Sequence, residues 1–364
     1  MVLFFDLLQI ALGNKENFSN TPTGEQWQFI YDLSVRQALI GIAFLGIKKL
    51  PEAQRPPKHL LLKWFATTEK IKEINAEMNA KSRSVTKRFL EDGFRSLILK
   101  GQGIASLYPE GDFRMSGDID VWVEGGRKIV SKYLRGIKKD CKVVYHHADF
   151  IQIGYTDIEV HFTPTWMNNY FSNNRLQRFF NEIKEKEFAK ATESDFPTPS
   201  LKFNRIYLLV HIYRHLFSEG IGLRQLMDYY YVLAQGFSDE EREHCISVLK
   251  DLGMLRFTGA VMFVLQKAFG MRDELLLLAP NEKEGEFLLK EILIAGNFGQ
   301  YDERINRSEG RSEWSLFING IRRNSRFLWS YPSEVLWSPI FKIWHYIMRL
   351  KWNYFDSNKY LSKI

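Results

Sequence analysis

Cysteine is scarce: Cys141 and Cys245 are the only two in 364 residues. That excludes a disulfide framework and a zinc site built on cysteines, and it suits a reducing compartment. Long apolar runs are missing as well. The longest uncharged one, Gln37 to Ile47, has eleven residues, where about 20 are needed to span a bilayer. The opening stretch MVLFFDLLQIALGN has no basic segment and interrupts its apolar run with Asp6. No signal peptide is therefore expected, and the expected location is the cytoplasm. No internal repeat or low-complexity segment is visible. Charge of one sign is weak too, since 50 Lys and Arg against 43 Asp and Glu leave +7. Such an excess permits a polyanionic ligand but is too slight to mark a DNA-binding surface, and no DNA partner is expected.

What is present suffices for a sizeable core: 45% of the residues are apolar, and at about 150 residues per domain the length implies two to three domains. Residues 1–92 read as a helical region. Thr23 and Gln26 have capping-box spacing ahead of an amphipathic run, and a long helical pattern from about His59 to Glu91 places Ile71, Ile74, Met78, Val85 and Phe89 on a core-facing stripe. Residues 93–166 change texture. RSLILK (95–100) suits a buried strand, Gln102 to Tyr108 a helix, Pro109 to Gly117 a loop and DIDVWV (118–123) a strand. A helix from Arg127 to Lys139 and three more strand-like runs, CKVVYH, DFIQIGY and DIEVHF, complete the stretch. Residues 167–300 are helical again. Residues 301–364 form an aromatic and basic extension holding five of the nine tryptophans, interleaved with Arg322, Arg323, Arg326, Lys342, Arg349 and Lys351. The expected class is α+β, a small mixed-sheet core embedded in mostly helical N- and C-terminal regions.

The chemistry concentrates in LKGQGIASLYPEGDFRMSGDIDVWV (99–123). Asp118 and Asp120 stand two apart in a strand-like segment, so both carboxylates project from one face. Like charges that close need a cation between them, and hard oxygen ligands select Mg²⁺, with Mn²⁺ as the alternative. Gly101 and Gly103 sit where a strand turns into a helix, and backbone N–H groups there can approach phosphate oxygens, with the Ser106 hydroxyl close in sequence. Glu159 in TDIEVHF is the candidate third acid. Asp157 and His161 share its face, and Asp157 is the alternative third ligand.

This arrangement resembles the nucleotidyltransferase superfamily of the DNA polymerase β type. More closely, the chain resembles an uncharacterised bacterial nucleotidyltransferase family through Leu99-Lys100-Gly101, Arg114 with Gly117-Asp118-Ile119-Asp120, and Glu159-Val160-His161-Phe162. Its helical half adds His211, His215 and Gly222-Leu223-Arg224 followed by Asp228. The resemblance implies a polymerase β-like core. It also implies Mg²⁺-dependent transfer of NMP from an NTP donor to an acceptor: a small molecule, a saccharide, a protein side chain or an RNA end. Asp118, Asp120 and Glu159 would be the catalytic and metal-holding acids. Lys100 and Arg114 would serve the β- and γ-phosphates, with Gly101, Gly103, Ser106 and Gly117 around the nucleotide. Where the superfamily has Gly-Ser or Gly-Gly, this chain has Gly101-Gln102, and the rival reading is a catalytically inactive binding or regulatory protein on the same fold.

Other features take plainer readings. His211 and His215 lack the Glu of H-E-x-x-H and read as a packed pair rather than zinc ligands, and Arg224 with Asp228 as an intrahelical ion pair. His146 and His147 read as strand-end residues without a role. The stripe Trp337, Phe341, Trp344, Met348, Trp352 reads first as a helix packed on the body, then as a peripheral membrane contact, then as an RNA surface.

Overall fold

The computed structural model describes residues 1–153, 156–304 and 313–355. It is 67% helical around a five-stranded mixed sheet, which is the expected α+β class. Among the described residues no helix is long and apolar enough to cross a membrane. The chain forms two compact units from interleaved stretches: Met1–Asn79, Ile104–Ser116 and Glu219–Arg304 make one, and Ala80–Gly103, Gly117–Ser218 and Ile305–Ile364 the other.

The first unit is all helical. Its capping box is formed as expected, with the Thr23 hydroxyl accepting from Gln26 N at 3.3 Å and the Gln26 side chain accepting from Thr23 N at 2.8 Å. Trp64 receives the edges of Trp27 and Tyr31 at 5.8 and 4.9 Å in a buried aromatic cluster. The long helix runs from Lys58 to Glu91, and the unit boundary falls within it. Its buried stripe is Leu60, Trp64, Thr68, Ile71, Asn75, Met78, Ser82, Thr86 and Phe89, while Ile74 is exposed. The expected stripe thus holds at Ile71, Met78 and Phe89 but not at exposed Ile74 or half-buried Val85, and it lacks Trp64 and the polar members. Thr68 and Thr86 satisfy their hydroxyls on carbonyls of the preceding turn, so they lie inside without penalty.

The second unit carries the sheet, in the order β1-β2-β5-β4-β3, with β1 Ser96–Ile98, β2 Ile119–Val123, β3 Lys142–Val143, β4 His147–Ile153 and β5 Thr156–His161. β2 and β5 are parallel and all other pairs antiparallel. The run CKVVYH yields a strand of only two residues, and Gly154 and Tyr155 at the end of DFIQIGY lie outside the described residues. So do 305–312 and 356–364 of the C-terminal extension. Every residue of β2 is buried, so the strand carries any polar side chain it holds into the interior. The described part of the extension packs as expected of a helix on the body. Phe341 stacks on Trp166, and Tyr145 meets the faces of Phe341 and Trp344. Asn353 bonds both the N–H and the C=O of Val143, at 2.9 and 2.8 Å, which occupies the polar groups of the β3 edge.

Candidate active site

The parallel register aligns Asp120 with Glu159 and Trp122 with His161, and the antiparallel register aligns Asp149 with Glu159 and His147 with His161. Residues aligned in register share a sheet face. Three carboxylates thus form one row across three strands, and two imidazoles stand in the next. Asp118 lies one residue before β2.

The turn after β1 shapes the floor. Leu99 N donates to Asp120 O at 2.9 Å and prolongs the ladder by one residue. The backbone then enters the left-handed region at Lys100 (φ 23°) and Gly101 (φ 47°) before the short helix that starts at Gln102. A non-glycine residue there is strained, and such strain gathers at functional sites. The payoff is position: Lys100 Nζ lies 3.1 Å from Asp120 Oδ2. Gly103 is required for a different reason, since a Cβ there would run into the Ile98 carbonyl.

Charge in the cluster is unbalanced. Asp120 is buried, with His161 Nε2 2.8 Å from Oδ1 and Lys100 on Oδ2. Burial alone would raise its pKa, but Lys100 and His161 hold it below the usual carboxylate range. Glu159 lies 3.5 Å from His161 Nε2 and 3.1 Å from His147 Nδ1, and these imidazoles overcome burial to depress its pKa as well. His161 is pushed the other way. Its burial favours the neutral ring, but Asp120 and Glu159 raise its pKa. Asp118 has no cation in salt-bridge reach among the described residues. Loss of hydration raises its pKa, Asp120, Glu159 and Asp157 add repulsion, and Lys100 offsets part of it.

That surplus is what a divalent cation would relieve. Ligand atoms of Asp120, Glu159 and His161 lie within 4.8 Å of one another, and Asp118, two residues upstream of Asp120, adds a carboxylate with no salt-bridge partner among the described residues. The donor set fits a divalent metal.

His146 and His147 belong to this cluster. His146 Nε2 is 2.9 Å from His147 Nδ1, and both rings lie within 5.4 Å of the His161 ring. His147 opens β4, as a strand-end residue would, and its ring and that of His146 face the cluster. The signal was there to read, because H-x-D at 147–149 mirrors E-x-H at 159–161, as antiparallel partners would. The buried helix Leu201–Ser218 contributes Tyr207, whose pKa is raised by burial and by the charges of Asp120 and Glu159. On the same helix His211 packs on His215 at 4.4 Å, and burial together with the charge of Lys100 keeps His211 neutral.

Lys100, Gly101, Gly103, Gly117, Asp118, Asp120, Asp157 and Glu159 all belong to the second unit, whereas Ser106 and Arg114 belong to the first. Arg114 is buried there with its guanidinium forked onto Asp228, Nε to Oδ1 at 2.7 Å and Nη2 to Oδ2 at 2.8 Å. Asp228 therefore does not pair with Arg224. Arg224 instead donates to the carbonyls of Met115 and Ser116.

The family model described as "Uncharacterised nucleotidyltransferase" matches residues 23–270, more than half of the chain. Comparison with curated proteins and with solved structures gives no match. With a mixed sheet that aligns an Asp-x-Asp strand beside a Glu-bearing one, and with that family match, the chain belongs to the family of uncharacterised nucleotidyltransferases, whose general chemistry is nucleotidyl transfer.

Proposed function

We propose that the protein transfers a nucleoside monophosphate from an NTP to an acceptor hydroxyl, amine or phosphate, with Asp118, Asp120 and Glu159 holding Mg²⁺. The observation that carries this reading is the in-register pairing of Asp120 with Glu159, which sets two of the three acids side by side with Asp118 two residues upstream. When bound, Mg²⁺ supplies charge neutralisation at the triphosphate and lowers the pKa of the attacking group. The acceptor atom forms its bond to the α-phosphorus as the bond to the leaving pyrophosphate breaks. Glu159, half-buried at the centre of the row, takes the acceptor's proton. Lys100 is the cation assigned to the phosphates, backed by the backbone at Gly101 and by Gly117, while the Gly103 N–H closes the turn on the Lys100 carbonyl at 2.7 Å and Gly103 serves by its lack of a side chain. Arg114 would have to leave Asp228 to reach a phosphate, at the cost of an unpaired buried carboxylate. His161 and His147 are positioning residues that hold Asp120 and Glu159.

One observation favours the non-catalytic reading: Lys100, His147 and His161 already neutralise much of the acidic row. The test is label transfer from α-³²P NTPs with Mg²⁺ and fractionated cell extract as acceptor source. Transfer by the wild type that is lost in Asp118→Asn/Asp120→Asn supports the enzyme. Equal labelling by wild type and double variant defeats it.

A further inference from the structure

The C-terminal extension presents two apolar faces. The inner one is the aromatic stripe packed on the body. The outer one is aliphatic: on the helix Pro332–Leu350, Leu336, Ile340, Ile343, Ile347 and Leu350 recur at intervals of four and three residues and all are exposed. The preceding helix Glu313–Asn324 exposes Trp314, Leu316, Ile318 and Ile321, and Trp329 between the two helices is 88% exposed. Half of the exposed large hydrophobic side chains among the described residues fall in this one short segment. Apolar clusters of this kind on a soluble surface mark interaction sites.

The segment is not simply loose. Glu334 accepts from the N–H groups of Asn168 and Asn169 at 2.8 and 3.1 Å, Asn324 bonds Ser338, and Phe327 and Tyr331 set their edges on Phe217. The outer face is thus held in place and turned outward.

Its charge identifies what it meets. Among the described side chains from 314 to 353 the cations are Arg322, Arg323, Arg326, Lys342, Arg349 and Lys351, of which Arg323 is bound to the carbonyls of Phe217 and Ser218 and Arg326 to that of Arg323, while Glu334 is the single carboxylate and is buried. A groove of about 530 Å³ between the two helices has apolar walls of Trp314, Phe317, Ile343 and Tyr346, with Lys342 and Arg349 beside them. A second copy packed symmetrically on this face would set the cations of the segment against their own copies, and among the described side chains from 314 to 353 no exposed carboxylate faces them. An anionic lipid surface answers both features: acyl chains for the stripe and groove, and headgroups for the cations. We infer that this face is a peripheral docking surface for anionic phospholipid membrane, with the helices lying on the bilayer rather than crossing it. The inference rests on this surface and not on the transfer chemistry.

Vesicle sedimentation tests it on the full chain. The wild type should pellet with vesicles of equal parts phosphatidylglycerol and phosphatidylcholine and stay in solution with phosphatidylcholine alone. Ile343→Asp/Ile347→Asp should reduce the bound fraction about tenfold, and Lys342→Gln/Arg349→Gln should weaken binding most at low salt. Unchanged melting temperatures verify the fold, and should the Asp pair melt early, Ile340→Ser/Ile347→Ser replaces it. Wild type that stays in solution with anionic vesicles overturns the inference, as does binding unaffected by either pair. A dimer in sedimentation equilibrium that the stripe variant dissolves, with no vesicle binding, would overturn it in favour of self-association.

Discussion

Two charge clusters, one in each unit, use the same chemistry to opposite ends: the first is buried, and the second runs from buried Asp120 and His161 out to exposed Asp118. In the first unit Arg114 and Asp228 match one cation to one carboxylate through a two-pronged bond, and Tyr108 Oη adds a third at 2.6 Å. Asn75 and Arg224 tie down the surrounding 112–116 backbone by its carbonyls. Every strong acceptor on Asp228 is answered locally. In the second unit Asp118, Asp120 and Glu159 face Lys100 and two imidazoles, and Asp118 is left without a cation partner among the described residues. A matched pair holds a fold together. An acidic surplus is kept against its own repulsion and is ready for a ligand of positive charge.

The contrast is breakable at each end. The largest effect is expected on chemistry: Asp118→Asn/Asp120→Asn should lower nucleotidyl transfer by about a thousandfold or more, as read by label transfer, while Asp118→Asn alone should leave thermal stability unchanged or raised and Asp120→Asn, which takes the charge partner from Lys100 and His161, should lower it. The same kind of change in the matched cluster should do the reverse. Asp228→Ala strands a buried guanidinium and should cost about 3–5 kcal/mol in a denaturant titration, whereas Arg114→Met/Asp228→Leu should recover most of it.

A third buried carboxylate sharpens the comparison. Glu334 has backbone N–H partners but no cation in salt-bridge reach among the described residues, and burial raises its pKa from 4.5 to about 7. The folded protein therefore keeps this proton over a range where the unfolded chain has released it. Stability should fall as pH climbs from about 4.5 to about 7 and stay lower above, by at most about 3 kcal/mol. Glu334→Gln should flatten that slope in unfolding curves measured across the range. The smallest effect is expected at Gly103, where Gly103→Ala sets a methyl against the Ile98 carbonyl and should cost about 1–3 kcal/mol by thermal melt.

The acid-x-acid strand, the capping box and the mixed α and β texture were legible in the chain because each is a local pattern of period two or 3.6. What decides the site is not local. Asp120 meets Glu159 through a parallel register closed by a crossover, and Arg114 meets Asp228 across more than a hundred residues, so neither partner shows in spacing. The histidines at 146 and 147 were passed over for the same reason: their meaning lies in strand pairing, not in their own stretch. In the C-terminal helix the tryptophans mark one stripe, and the aliphatic residues one position before Trp337, Phe341, Trp344 and Met348 form a second, about 100° round the helix and exposed. The two units, built from alternating segments, were likewise beyond a reading that moves along the chain.

Nucleotide binding at the acidic row is the most direct test, and it needs no acceptor. Melting temperatures of the wild type and of Asp118→Asn/Asp120→Asn would be taken with each of the four NTPs, with and without Mg²⁺. At a hundred times its dissociation constant a ligand adds about 2.7 kcal/mol, so one NTP should raise the wild-type melting temperature by a few degrees only when Mg²⁺ is present, and should leave the variant unmoved. No shift with any NTP, or the same shift in the variant, would contradict a metal-dependent nucleotide site built on Asp118 and Asp120.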